Sequence, residues 1–458
     1  MIKNRILNWF FHSKDDRFFL NMNTKKRQTG VLSKKIFLQF QTETIFLERF
    51  FHFSNNYKIQ PYLLNLTKPH YSITDVLVFP IFIFKIIEQF FLTKKTVQLY
   101  NKFYDSQIIT PKYSFLKILK FLPTAFFVLI KVKTKKDILK IKYKQILIGD
   151  LIYDTYLRFF KKSTLNVRDI NLLILLCRTF YEIKFLEKIS KDIDIYLTGY
   201  SVYTNAGLPV RVFLNNNVKV YSFSDVEVGK LLSKTDLTQV KPYWNYRSIF
   251  MNLKFKSEKI NQGINILTNR MNGVLDLWYM NHNPYLIDDK EFVGVFDGIM
   301  FLHDFTDSYY VYRDVLFCDF LEWTEHTFNL IIKNNLNIGI KPHPNQNPTS
   351  LKITSSLMKK YKNLNWIDQF VSNNAIFSSG ISFGISVYGT ILSELAFNRI
   401  IPISCGDNPT VDYNFTYNAK TIEEYDDLIL NHKKHVLKKN AEKELGEFMY
   451  MHYLHKKF

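Results

Sequence analysis

Cysteine is scarce in this chain: Cys177, Cys318 and Cys405 are scattered over 458 residues and form no C-x-x-C pair. This pattern argues against a disulfide framework and a cysteine zinc site, and it fits a reducing compartment. Long uncharged apolar runs are also missing, which argues against a membrane-spanning helix. Because the first 20 residues lack the apolar core and cleavage site of a signal peptide, we expect a cytoplasmic protein.

Acidic residues are few in the N-terminal third. Residues 1–145 hold 22 lysines and 4 arginines against 8 acids, a net charge of +18, whereas the remaining 313 residues carry only +2. Such an asymmetry predicts an anionic surface as partner, either lipid head groups or nucleic acid. The sequence contains no zinc finger, RNA-recognition signature or helix-turn-helix, so we expect a membrane surface and no nucleic acid.

Two apolar stretches lie within this basic third, VLVFPIFIFKIIEQFFL at 76–92 and FLPTAFFVLI at 121–130. Charges interrupt the first and the second has only 10 residues, so neither is suited to cross a bilayer. Aromatic and aliphatic residues beside lysines are typical of an interfacial helix, although a buried helix with a lysine rim would show the same pattern. The interfacial alternative predicts a peripheral protein at the inner face of the cytoplasmic membrane.

The composition changes near residue 145, where short apolar runs begin to alternate with helical patterns. A second alternating set begins near residue 291, and such alternation predicts βαβ units around parallel sheets. We therefore predict an α/β fold with two Rossmann-like, doubly wound domains facing a cleft. The predicted segments are a basic, mostly helical N-terminal extension at 1–144, a first Rossmann-like domain at 145–285, a second at 286–420, and a helical tail at 421–458.

In open parallel sheets, ligands bind beyond the carboxyl ends of the strands, and SSGISFGISVYGT at 378–390 joins a predicted strand to a helix. Free backbone N–H groups at Gly389 and Thr390 would favour a phosphate there, and Glu394, one turn further, could accept hydrogen bonds from ribose hydroxyls. The alternative is a glycine- and serine-rich loop that merely caps a helix.

Two more segments follow predicted strands of the second set. In KPHPN at 341–345, His343 stands between two prolines, and with Lys341 nearby it suits a phosphate oxygen. In LHDFTD at 302–307, three side chains are either metal ligands or residues that line a cleft. Because no fourth ligand is evident, we expect His303, Asp304 and Asp307 to line a cleft and not to bind a metal.

The first set contains a carboxylate pair. Asp150 and Asp154 lie one helical turn apart, and either could serve as general base for an acceptor hydroxyl. The alternative is an aspartate N-cap followed by a surface pair of Asp154 with Arg158. Arg211 either faces an acceptor or caps a helix.

Taken together, these segments resemble the bacterial capsule and lipopolysaccharide biosynthesis glycosyltransferases of the GT-B superfamily, which include Kdo- and sialic-acid-type transferases. The matching pieces span about residues 145–405. They are GDLIYDTYLR, the Y-x-x-x-G-x-x-x-R stretch from Tyr203 to Arg211, LHDFTDSYY with LFCDFLEW, KPHPN, and VYGTILSELAF.

The resemblance implies an acceptor domain at 145–285 and a donor domain at 286–420. It places His343 at the donor phosphate, Gly389 and Thr390 at the nucleotide, and Glu394 near the ribose. We expect Pro344, Ser386 and Tyr388 of the same segments, together with Lys341, to bind the nucleotide-sugar, and Tyr203 and Arg211 to face the acceptor. The donor would be a nucleotide-sugar, such as a CMP-sugar, with no cofactor and no metal. The sequence departs from the pattern at Asn345 and Gln346, where an acidic residue is frequent.

The sequence therefore predicts a metal-independent glycosyltransferase that transfers a sugar to a growing surface polysaccharide, with a glycan or lipid-linked glycan as acceptor. His343 would stabilise the leaving phosphate, and a carboxylate at Asp150 or Asp154 would act as base or nucleophile. Two alternatives remain open: a glycerol- or polyol-phosphate transferase of the teichoic-acid type, and a non-catalytic assembly protein that keeps the fold.

Overall fold

The chain divides into two compact units, Met1–Phe160 with Leu165–Val240 and Lys161–Thr164 with Lys241–Phe458. The computed structural model describes residues 35–40, 44–54, 62–66, 79–103, 107–224, 229–274, 283–285, 292, 294–312 and 314–456.

The first unit is built on a sheet whose described strands run in the order β3-β2-β1-β6-β7-β8. Neighbouring strands are parallel except β8, which runs antiparallel to β7. The strands are β1 Ile36–Gln39, β2 Tyr62–Leu64, β3 Gln107–Ile109, β6 Ile195–Thr198, β7 Lys219–Ser222 and β8 Lys230–Leu231, and a separate antiparallel pair is β4 Lys142–Tyr143 with β5 Ile146–Leu147. The chain winds outward from β1 and then crosses to its other side, which is the doubly wound Rossmann-like topology.

Helices cover this sheet because the strands are apolar on both faces. All four residues of β1 are buried, as expected for a parallel strand covered on both sides. Leu38 packs in a cluster with Phe46, Phe50 and Leu197. The helices of the first unit are α1 Thr44–Ser54, α2 Phe79–Phe103, α3 Phe115–Leu119, α4 Leu122–Ile130, α5 Lys135–Leu139, α6 Gly149–Phe160, α7 Ile170–Ile189 and α8 Leu208–Asn215.

The second unit repeats the same winding, with described strands in the order β11-β10-β9-β12-β13-β14, all parallel. The strands are β9 Gly298–Phe301, β10 Ile338–Lys341, β11 Asn365–Trp366, β12 Phe383–Ile385, β13 Ile401–Cys405 and β14 Tyr417–Ala419. The helices are α9 Tyr246–Met251, α10 Lys256–Met271, α11 Phe320–Lys333, α12 Pro348–Lys360, α13 Asn373–Phe377, α14 Ile391–Phe397, α15 Ile422–Leu430 and α16 Ala441–Met449. The prediction of an α/β fold with two Rossmann-like units is confirmed.

The predicted segment boundaries differ from those of the structure. Residues 1–34 lie outside the described residues, but β1, β2 and β3 all precede residue 145, so the basic third supplies strands to the first sheet. These strands have only three or four residues among lysine- and aromatic-rich segments, and such short runs leave little periodic signal. The division between units falls at Val240 and Lys241 instead of at 285.

The C-terminal tail is helical at α15 and α16, and it packs within the second unit. A Cβ atom added to Gly263 of α10 would stand 2.0 Å from the carbonyl oxygen of Gly446 in α16. The two backbones approach so closely that only glycine fits at this crossing.

In the part of the chain that the structure describes, no helix is long and apolar enough to cross a membrane. The apolar stretch predicted at 76–92 lies mostly in α2, and its residues 76–78 lie outside the described residues. The stretch at 121–130 corresponds to α4.

Candidate functional site

Three loops of the second unit meet at the carboxyl edge of its sheet. They are residues 302–308 after β9, 342–347 after β10 and 386–390 after β12. Because β9 and β12 are neighbours whose connections leave in opposite directions, their loops flank the switch point where doubly wound sheets bind ligands. Three of the sequence segments singled out above therefore lie at one edge.

His303 connects two of these loops. Its Nε2 lies 3.0 Å from the Ser386 hydroxyl, and its ring stacks on Phe320 at 4.6 Å and contacts Tyr388 at 4.9 Å. Burial, with a smaller contribution from the neighbouring His343, lowers the pKa of His303 to about 3. The ring is therefore a neutral structural contact of the site at physiological pH.

Asp304 holds the loop after β10 against the loop after β9. Its carboxylate accepts hydrogen bonds from the Ser350 hydroxyl at 2.6 Å, the Asn347 backbone N–H at 3.0 Å and the Thr306 N–H at 2.9 Å. Burial raises the pKa of Asp304, but these hydrogen bonds outweigh burial and lower it. Asp304 thus positions the loops, whereas Asp307 is exposed and accepts from the Ser308 N–H.

His343 has one ring nitrogen fixed and one open. The Nδ1 atom accepts a hydrogen bond from the Asn345 N–H at 3.1 Å, so the neutral ring carries its proton on Nε2. No hydrogen-bond partner of Nε2 occurs among the described residues. The pKa of His343 is lowered overall, because burial and the charge of Lys341 lower it more than the charge of Asp304 raises it. His343 and the adjacent Pro344 are half-buried, so a neutral N–H donor stands at the sheet edge.

Gly389 leaves the backbone exposed at the start of α14. Its φ of +119° is rarely adopted by other residues, and a Cβ atom there would lie 3.9 Å from Cε1 of His303. The N–H groups of Gly389, Thr390 and Ile391 donate to no other described residue. Tyr388 closes one side, since its hydroxyl donates to the Ser308 carbonyl at 2.9 Å. Ser386 is buried and Thr390 half-buried.

Lys341 and Glu394 were predicted at the nucleotide, but the structure places both in the interior of the second unit. Lys341 donates to the Asn373 side-chain oxygen at 2.7 Å, and Glu394 accepts from the Tyr285 hydroxyl at 2.6 Å. Burial lowers the pKa of Lys341 to about 8 and raises that of Glu394. The physical reason is strand alternation: Lys341 pairs with Phe301, on the face covered by α13 and α14.

In the first unit, Asp150 and Arg211 bind each other. The Arg211 guanidinium donates to both carboxylate oxygens of Asp150 and, at 2.7 Å, to the Leu147 carbonyl. The Asp150 side chain keeps 19% exposure, whereas Asp154 is 2% exposed. The sequence predicted both aspartates as candidates for a general base. In α6 the two differ, because Asp154 is buried whereas Asp150 is partly exposed.

Tyr203 begins the π-helix Tyr203–Gly207, which packs on α6. Its ring contacts that of Phe159 at 5.6 Å, and the Thr204 N–H donates to the Thr155 hydroxyl at 2.7 Å. A Cβ atom on Gly207 would meet the Ser201 carbonyl oxygen at 2.5 Å. The spacing of the motif from Tyr203 to Arg211 is thus accounted for by local packing and by the ion pair to Asp150.

Sequence reasoning missed two residues that hold these edges, Gln39 and Asn347. At the end of β1, the Gln39 side-chain oxygen accepts from the Thr198 hydroxyl at 2.7 Å and from the Gly199 N–H at 2.9 Å. No sequence signal marks Gln39. Asn347 also escaped notice, although an asparagine before a proline is a recognisable N-cap.

Within the described ranges, no group of three or more histidine, cysteine, aspartate or glutamate side chains is arranged to hold a metal ion. A groove of about 490 Å³ lies between α11 and α12, where Leu321, Ile353 and Lys360 line it. None of the predicted site residues borders this groove.

No family model matches this chain, and no curated protein matches it. Among solved structures it is similar to the UDP-GlcNAc 2-epimerase of Methanocaldococcus jannaschii in complex with UDP-GlcNAc and UDP, with 12% identity, 90% of this chain and 97% of that chain covered, and a TM-score of 0.27. It is also similar to S. aureus MnaA in a structure with UDP, with 12% identity, 92% and 93% covered, and a TM-score of 0.29. At these values the likenesses say nothing about what this chain binds, and the assignment of the fold rests on its strand order.

Proposed function

We propose that this chain is a glycosyltransferase that takes a sugar from a nucleotide-sugar donor and adds it to a surface polysaccharide. The observation that carries the proposal is that the open Nε2 of His343 and the backbone N–H groups of Gly389, Thr390 and Ile391, which donate to no other described residue, lie on loops at the same edge of the sheet. All of these groups donate hydrogen bonds, and they lie at the switch point of a doubly wound sheet. A donor phosphate is the ligand that such an arrangement suits.

The donor phosphate would bind through these neutral N–H donors. As the bond between the anomeric carbon and the phosphate oxygen breaks, negative charge grows on that oxygen, and donors already fixed in place stabilise it. His343 is fixed because Asn345 holds its Nδ1. Lys341 is not assigned to the phosphate, since its ammonium is buried against Asn373.

In the first unit, we propose Asp150 as the carboxylate that acts on the acceptor. It is the more exposed of the two candidate aspartates, and Arg211 fixes its orientation through both oxygens. Asp154 is too buried to reach an acceptor hydroxyl.

The direct test is binding and turnover with defined donors. We expect CMP, UDP or GDP, or one of their sugars, to raise the melting temperature of the full chain, and His343→Ala to abolish most of that shift. A radiolabelled sugar should then pass from the stabilising nucleotide-sugar to a glycan acceptor. His52→Ala, far more exposed and on α1, is the matched control.

Three outcomes would contradict the proposal. Transfer of a polyol phosphate without sugar would assign the chain to the polyol-phosphate transferases. A full-length, folded chain that no nucleotide stabilises would have no donor site. If His343→Ala left glycan assembly unchanged, a non-catalytic assembly role would replace the transferase.

A further inference from the structure

An apolar surface of the first unit faces solvent on two consecutive helices. We define the α3–α4 face as Phe115, Leu116, Phe126, Phe127 and Ile130, whose side chains are between 57% and 74% exposed. These five are among the most exposed large apolar residues of the described chain. Single exposed apolar residues are common on proteins, but a group of five on adjoining helices indicates a binding surface.

The helix α4 is apolar on all sides. Its sequence LPTAFFVLI contains Thr124 as the one polar side chain, and its buried residue Ala125 faces α7, against which α4 packs. A helix in water normally presents polar residues opposite its buried stripe. The solvent side of α4 instead carries Leu122, Phe126 and Ile130 at intervals of four residues, so this side is suited to an apolar environment.

Lysines flank the residues of this face along the chain. Residues 115–140 contain seven lysines and one acid, Asp137. The Asp137 carboxylate is occupied within its own turn, where it accepts from the N–H and hydroxyl of Thr134. Lys117 and Lys133 are exposed, and the Lys131 ammonium lies 4.1 Å from the centre of the Phe127 ring. Residues 115–140 thus combine an apolar face with a net charge of +6. This combination is complementary to a partner that has an anionic outer layer over an apolar interior.

We infer that the α3–α4 face inserts its rings into the head-group region of an anionic lipid bilayer, with the flanking lysines at the lipid phosphates. Long lysine side chains reach the head groups while their stems cover apolar surface. A second copy of this chain is a poorer occupant, because pairing the face with itself would oppose lysine to lysine. This inference goes beyond the proposed transfer reaction and requires no nucleotide.

The test is flotation of the full chain with two kinds of vesicle, phosphatidylcholine alone and phosphatidylcholine with phosphatidylglycerol. We expect binding to the anionic vesicles at low salt, little to the neutral ones, and a decline as salt rises. The triple variant Phe126→Ser/Phe127→Ser/Ile130→Ser removes the apolar side. The variant Lys117→Glu/Lys131→Glu/Lys133→Glu inverts the charge. Each should weaken binding by about tenfold or more.

Matched controls lie in the second unit. Met251→Ser removes an apolar side chain that is 65% exposed, and Lys352→Glu/Lys359→Glu/Lys362→Glu inverts three exposed lysines on and just after α12. Both should bind anionic vesicles within about twofold of the wild type. Because all substituted residues are exposed, melting temperatures should stay near that of the wild type. Should the serine triple variant unfold, Phe115→Ser/Leu116→Ser on α3 tests the same face.

Equal binding of the wild type and both triple variants would overturn the inference. So would equal binding to neutral and anionic vesicles, or no binding to either. Sedimentation velocity supplies the remaining outcome. If the wild type is a dimer that the serine triple variant converts to a monomer, the α3–α4 face is an interface between copies and the inference fails. These results do not depend on donor turnover, so they are separable from failure of the transferase proposal.

Discussion

Tyr285 and Glu394, 109 residues apart, are joined by a 2.6 Å hydrogen bond in the interior of the second unit. Glu394 is 1% exposed, and its other carboxylate oxygen is 3.5 Å from the Asn373 side-chain nitrogen. Burial raises the pKa of Glu394, while Tyr285 and the charge of Arg270 lower it. A buried carboxylate with polar neighbours on two sides is costly to disturb, because its partners lose their hydrogen bonds as well.

Removing this carboxylate should therefore destabilise the protein. We expect Glu394→Ala to lower the free energy of unfolding by about 3 kcal/mol and Glu394→Gln by about 1 kcal/mol, measured by urea denaturation. The same variants test the predicted ribose contact. If Glu394→Gln raised the KM for the donor without changing the unfolding midpoint, the side chain would act on the nucleotide instead of on the fold.

The ion pair of Asp150 with Arg211 allows a double-mutant cycle. Arg211→Ala should lower the free energy of unfolding by about 2 kcal/mol, because it leaves a partly buried carboxylate without its bidentate partner. Arg211→Lys should recover only part of this loss, since an ammonium cannot bind both oxygens in the same geometry. Additive effects of Asp150→Asn and Arg211→Ala would contradict the coupling of the two side chains.

Gly389 and Gly380 form a matched pair of glycines with positive φ. The angles are +119° and +86°, and neither position is crowded, because an added Cβ would meet only Cε1 of His303 at 3.9 Å in the first case and nothing within 4 Å in the second. We expect alanine at either position to cost about 1–2 kcal/mol of stability. Only Gly389→Ala should also reduce the nucleotide-induced rise in melting temperature. An equal reduction in Gly380→Ala would remove residue 389 from the site.

Acid should destabilise the protein through two half-buried histidines of the second unit, His303 and His452. Burial, and to a smaller extent neighbouring basic side chains, lowers the pKa of His303 and of His452 from 6.5 to about 3. As the pH falls, the unfolded chain therefore binds protons at both histidines while the folded chain keeps them neutral. Their contribution to the free energy of unfolding is fully present above pH 6.5 and is lost as the pH falls below that value. At pH 5 the loss should be about 1–2 kcal/mol for each histidine.

The measurement is the free energy of unfolding at pH 7 and pH 5 in wild type and His303→Phe. The phenylalanine keeps the ring contact with Phe320 but cannot be protonated, so the drop between the two pH values should shrink by the contribution of one histidine. His52→Gln, exposed on α1, should leave the drop unchanged. An identical drop in all three proteins would place the acid sensitivity elsewhere.

Local patterns in the sequence were sufficient for some features. The alternation of short apolar runs and helices predicted two doubly wound units, since parallel strands covered on both faces must be apolar throughout. The Pro-His-Pro segment placed His343 on a loop after a strand, and the glycines of 378–390 marked the turn before α14. These features depend on residues close together in the chain.

The sequence alone determined the fold class, the basic charge of the first third and the loops that follow β9, β10 and β12. Only the tertiary structure decided that β1 joins the sheet beside β6 and that the side chains of Lys341 and Glu394 turn inward. It also decided that Arg211 forms an ion pair with Asp150 and that His303 contacts Ser386. The physical reason is that hydrogen bonding and burial at such separations arise only when the chain closes on itself. Which face of a strand or helix becomes interior is set by the elements packed against it, and no local pattern contains those neighbours.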